Sequence, residues 1–146
     1  MTEPDVTITF MPAGAIIVLD RWDEQQPDVR GVAALQVEPR RWWLIDPGEK
    51  LAAVEQMLGD KGALTAIGGG LMRAVLKGPG WRAQLMISGL FDAEDPSFKP
   101  GDCAATLIHH TQVWIHAISE REAHVYLSAS LLGDIKHLWG LDLASD

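Results

Sequence analysis

Residues 71–85 read LMRAVLKGPGWRAQL, and the fold follows from how that stretch is divided. Leu71 to Lys77 has the length and apolar content of a strand. Gly78-Pro79 stops it, because proline has no N–H for a ladder and its fixed φ suits the first turn of a helix. Trp81, Arg82 and Leu85 therefore open a helix that is expected to end near Gly89. Asp92 to Gly101, with Pro96 and Pro100, reads as a loop.

Downstream, Ala104 to His109, Gln112 to Ser119 and Ala123 to Leu127 read as three strands joined by two-residue turns at His110-Thr111 and Glu120-Arg121. Side chains alternate along a strand, so this register predicts two faces. Ala104, Thr106, Ile108, Val113, Ile115, Ala117 and Tyr126 share one, and Ala105, Leu107, Trp114, His116, Ile118, Val125 and Leu127 share the other. Both are largely apolar. One can be covered by the chain's own helices, and the face with Trp114 and His116 calls for further strands or a partner. Ser128 caps a last helix in which Leu131, Ile135, Leu138 and Trp139 recur on one side, with Lys136 and His137 near its negative end and Gly140 closing it.

Upstream, Met1 to Asp5 reads as a flexible tail before a single domain over residues 6–146. Val6 to Phe10 and Ala15 to Leu19 are β-branched, apolar runs, and Gly31 to Val37 and Arg41 to Ile45 are two more, separated by Glu38-Pro39-Arg40. Asp23 to Asp28 is polar and reads as a loop. Asp46, Pro47 and Glu49 have capping-box spacing for a helix carrying Leu51, Val54 and Leu58 on one face and ending at Gly59. Leu64 to Ile67 is a short strand before Gly68-Gly69-Gly70, which reads as a hinge or bulge. The order is four strands and a helix, two strands and a helix, three strands and a helix. That is an α+β fold with mostly antiparallel strands and about three helices, since the meander links are too short for crossovers.

The chain has 146 residues, a length for one domain, and 12 Lys plus Arg against 20 Asp plus Glu give a net charge of −8. Nucleic acid and anionic membranes reward a basic footprint, so neither is expected as a partner. The only cysteine, Cys103, has no mate for an internal disulfide, and the opening residues lack the basic and apolar regions of a signal peptide, which predicts a cytoplasmic chain. No apolar run approaches the ~18 residues of a membrane span.

No motif carries catalysis. Gly78-Pro79-Gly80 could present backbone donors to a phosphate, but the third glycine of a dinucleotide fingerprint and the Lys-Ser or Lys-Thr of a P-loop are missing, and Pro79 removes a donor. His109, His110, His116, His124 and His137 lack metal-site spacing and read as surface or interface histidines. Cys103 opens a core-like strand beside Asp102 and reads as structural, although histidines could approach it in the fold. Asp92, Glu94 and Asp95 read as a solvated loop cluster. Catalytic, cofactor and metal residues are therefore all assigned as none. Trp42-Trp43 differs, because adjacent rings on a strand face opposite sides. Either two layers of the chain bury both, or one ring joins Arg40 and Arg41 in an interface, a role for which arginine and tryptophan are favoured. The candidate partner surface is Arg41, Trp42, Trp43, Trp114 and His116.

Three segments carry a resemblance: GPGWRAQL at 78–85, DPSFKPGDCAATL at 95–107, and YLSASLL at 126–132 with Leu138-Trp139. They resemble the gamma subunit family of heterotetrameric sarcosine oxidase, most clearly from Met72 to Leu141 and more weakly at RWWLIDPG, residues 41–48. The sequence differs from that family in a shorter N-terminal part and in Ile87-Ser88-Gly89-Leu90, where a Lys-Gly-Cys-like segment is common. The resemblance implies the fold of the folate-binding domain of aminomethyltransferases. It also implies large alpha and beta partner subunits, which hold FAD, FMN, NAD, zinc and tetrahydrofolate, with no active site in this chain. The expected function is a non-catalytic accessory subunit of a flavin-dependent complex that demethylates an N-methyl amine and transfers the one-carbon unit to tetrahydrofolate. The alternative is a stand-alone folate-binding or aminomethyltransferase-like domain.

Overall fold

The computed structural model describes residues 5–29, 31–67, 70–86, 96–108 and 111–140. It is α+β, and its chain divides into two compact units, one of residues 1–12 with 70–146 and the other of residues 13–69. The expected class, antiparallel sheets with three helices, is the one observed.

The smaller unit has a four-stranded antiparallel sheet of β2 (Ile16–Arg21), β3 (Ala33–Glu38), β4 (Arg41–Ile45) and β5 (Gly62–Ile67), in the order β3-β4-β2-β5. One face of that sheet meets α1 (Leu51–Leu58), where Leu19, Trp42 and Leu44 pack with Val54 and Leu58. The approach to α1 departs from the capping-box expectation. Asp46 sits at φ 46°, and its carboxylate accepts from the Ala15 N–H at 2.9 Å instead of capping a helix. Its own N–H donates to the Ala15 carbonyl at 2.8 Å, so Asp46 extends the β2–β4 ladder, and a single 3-10 turn over Gly48–Lys50 leads into α1 without a side-chain cap. Gly59 ends α1 at φ 57°, a backbone conformation that glycine permits.

The larger unit has five antiparallel strands in the order β1-β6-β9-β8-β7: β1 (Thr7–Pro12), β6 (Leu71–Lys77), β7 (Cys103–Ile108), β8 (Thr111–Ser119) and β9 (Glu122–Ser128). Two helices, α2 (Trp81–Met86) and α3 (Leu132–Leu138), contribute Trp81, Leu85, Ile135 and the adjoining Trp139 to a core shared with Leu76, Val113, Ile115, Val125 and Leu127. The core is closed by Trp81, whose ring N–H donates to the Ser119 carbonyl at 3.1 Å and whose ring makes a T-shaped contact with Phe98, the ring centroids 6.2 Å apart. Ser128 opens the last helical segment as expected, its hydroxyl accepting from the Ser130 N–H at 3.3 Å, and Gly140 follows α3 at φ 73°.

The meander differs from expectation in its second turn. Ala117 pairs with Ala123, but Ser119 pairs with Glu122, so Ile118 is an extra residue in β8. Such a bulge reverses the alternation beyond it. Val125 and Leu127 therefore join Ile115 on the core face, and Tyr126 joins Trp114 on the other, the reverse of their expected assignment. In the first turn Ile108 pairs with Thr111, a slide of two residues that leaves the faces unchanged.

Candidate functional site

Gly78-Pro79-Gly80 owes its composition to packing. The Gly80 N–H donates to the Asp5 carbonyl at 2.9 Å, and a Cβ on Gly80 would lie 2.5 Å from the Asp5 nitrogen. Gly78, at φ 131°, equally faces the Asp5–Val6 backbone. The glycines admit that segment beside the turn, and α2 is only six residues long.

Cys103, His116 and His124 form a cross-strand row on the face of the larger sheet opposite its helices. Burial pushes the Cys103 thiol up to about 12, which keeps it protonated and a poor nucleophile at neutral pH. Both imidazoles are held below their ordinary value, chiefly by burial. For His124 this outweighs an acceptor at 2.7 Å, the Glu122 carboxylate. Among the described residues no group of three or more His, Cys, Asp and Glu side chains is arranged to hold a metal ion. His109, His110, Asp92, Glu94, Asp95, Gly68 and Gly69 lie outside the described residues.

The expected partner-surface residues fall in different environments. Trp42 and Trp43 are each 6% exposed, so both rings are buried, Trp42 in the core beneath α1. Trp114 and His116 are half-buried on the face with Tyr126. Arg41 is the member open to solvent. It stands at the end of the smaller sheet, where its guanidinium bonds Asp20 at 2.7 Å and Glu38 at 3.0 Å.

That sheet end holds a cleft open to solvent. Glu38 pairs with Arg41, leaving Pro39-Arg40 as a two-residue turn with Arg40 at φ 65°. Arg21, buried at the end of β2, is clamped by Asp23 through bonds of 2.6 and 2.9 Å, and the same clamp holds the Asp23 carboxyl down at about 2. Between them lies a cleft of about 440 Å³, lined by Asp20, Arg21, Trp22 and the Glu38–Arg41 turn. Trp22 is 61% exposed there. It was not picked out by the sequence reading, since it sits between Arg21 and Asp23 with no apolar neighbour to give a pattern.

No family model and no curated protein matches the sequence. Among solved structures, a chain of the heterotetrameric sarcosine oxidase from Corynebacterium sp. U-96, in complex with pyrrole 2-carboxylate, is similar with a TM-score of 0.70 and 17% identity, over 99% of this chain and 86% of that one. A chain described as a C-terminal regulatory domain of aspartate kinase from Porphyromonas gingivalis W83 is similar with a TM-score of 0.51 and 10% identity, over 92% of this chain and 94% of that one. At such identities the likeness speaks to fold. Over nearly its whole length, this chain has a sarcosine-oxidase-related fold.

Proposed function

We propose that this chain is a non-catalytic accessory subunit of a flavin-dependent oxidoreductase complex related to heterotetrameric sarcosine oxidase. The complex would demethylate an N-methyl amine oxidatively and pass the one-carbon unit to tetrahydrofolate. FAD, FMN, NAD and tetrahydrofolate belong, in this reading, to the large partner subunits. The observation that carries it is the fold shared along nearly the full chain with one chain of a heterotetrameric enzyme. The protonated Cys103 thiol and the exposed Trp22 are consistent with a chain that binds a partner and leaves the chemistry to it.

Isolation of the tagged chain from its native host, with subunit masses and an absorption spectrum, tests the proposal. The expected result is co-purification of large subunits with a bound-flavin spectrum that bleaches on addition of an N-methyl amine. A colourless chain without partners that binds tetrahydrofolate on titration would replace this reading with that of a stand-alone folate-binding domain.

A further inference from the structure

The turn between β3 and β4 holds an arginine where the backbone favours glycine. At φ 65° Arg40 occupies a region in which glycine or asparagine is the ordinary turn residue, and other side chains are disfavoured by about 1–3 kcal/mol. Strain of this kind persists only where the surrounding structure holds it, and it clusters at functional sites. The other arginines of the cleft are paired. Asp23 holds Arg21, while Asp20 and Glu38 hold Arg41, so both carboxylates that line the cleft are engaged with Arg41. Arg40 is exposed and has no side-chain partner among the described residues. It is an uncompensated positive charge on a chain whose net charge is −8. Beside it, lining the same cleft, is the exposed face of Trp22.

We propose that this cleft is the docking site for an acidic segment of a partner protein, with a carboxylate paired to Arg40 and an adjacent apolar side chain laid on Trp22. The planar guanidinium matches a carboxylate through two parallel N–H donors, and arginine and tryptophan are the residue types that most often dominate binding energy at interfaces. The carboxylate is specified locally by Arg40, the arginine of the cleft that no acidic side chain among the described residues pairs, and a second copy of this chain is one outcome of the test. The proposal rests on the reading that the chain works inside a hetero-oligomer, and it adds which surface docks and what kind of segment it meets.

The test uses the full chain, purified with whatever subunits accompany it, then separated and reassembled. Arg40→Gly suits the backbone of the turn, so it removes the guanidinium without harming the fold, and Trp22→Ser removes the exposed ring. Each is expected to weaken reassembly by about tenfold or more, the loss typical of a dominant interface residue. Arg40→Lys supplies an amine at the same place, and a zero-length carbodiimide is expected to join it to an Asp or Glu of the partner, identified by mass spectrometry. Flavin-containing partners that reassemble equally well with both variants, and give no such cross-link, would overturn this inference and leave the accessory-subunit reading intact. Partners without flavin that depend on Arg40 and cross-link through an acid would sustain the docking site and remove that reading. Recovery of the chain alone, or as a homodimer, would overturn the docking site.

Discussion

At the scale of single residues, two positions with positive φ lead to opposite predictions. Asp46 is held at φ 46° by work its side chain does locally, accepting from the Ala15 N–H. Asp46→Ala both loses that acceptor and forces an alanine into a left-handed conformation, so it should lower stability by about 1–3 kcal/mol in urea melts. Asp46→Asn should retain most of it, because asparagine keeps an acceptor and tolerates the conformation. Arg40 has no such local bond, so Arg40→Gly should leave the urea midpoint unchanged or raised, within about 1 kcal/mol, whereas Arg40→Val should lower it. The sequence around Asp46 showed a polar residue before proline and could not show its conformation. A capping box and a ladder extension need the same side chain, and they differ only in which backbone N–H lies nearest, here one 31 positions earlier in the chain.

At the scale of elements, strand positions were legible because they depend on local composition. Arg41–Ile45 and Leu71–Lys77 are observed at the expected bounds. Pairing parity was not, because the bulge at Ile118 leaves no mark in the alternation of β8 or β9 taken singly. The helices show what holds an element too short to persist alone. The six residues of α2 are fixed by Trp81, which is fully buried, bonded to Ser119 and flanked by Phe98 and by Arg82 at 4.5 Å. Trp81→Ala should therefore destabilise the fold by about 3–5 kcal/mol, the range for removing a large aromatic from a core. Trp22→Ala, on the exposed ring of the cleft, should fall within about 0.5 kcal/mol of wild type. Equal losses in the two variants, read from chemical denaturation, would mean that the ring of Trp22 is structural and that the cleft is not a free surface.

At the scale of the whole molecule, the division into two units was hidden from a reading along the chain. The first strand belongs with β6, Thr7 pairing with Lys77, and residues 13–69 form a sheet of their own between them. Nothing local marks such a return. The response of the folded chain to pH sums groups from both units, and its sign follows from their shifts. His116 and His124 have folded-state values below the ordinary 6.5, so the unfolded chain binds more protons and stability must fall as pH drops through 6.5 toward the folded values. His124 is faced by Glu122, which favours its charged form, and by Arg73 and Lys77, which oppose it, so the burial of the ring decides the direction. Asp23 adds a second acid loss, since the stability due to its lowered value is complete above the ordinary 3.8 and disappears toward about 2. Cys103 acts at the other end. Its thiol rises from 9.0 to about 12, so the folded chain keeps a proton that the unfolded chain releases, and that stability is lost as pH rises through this interval. Thermal midpoints measured from pH 5 to 11 should therefore form a plateau near pH 7–9 with a falling limb on each side. His116→Gln should flatten the limb between pH 7 and 5, and Cys103→Ala should flatten the one above pH 9. A variant chain with both substitutions and an unchanged profile would show that Cys103 and His116 are open to water, because burial is the largest cause of both shifts.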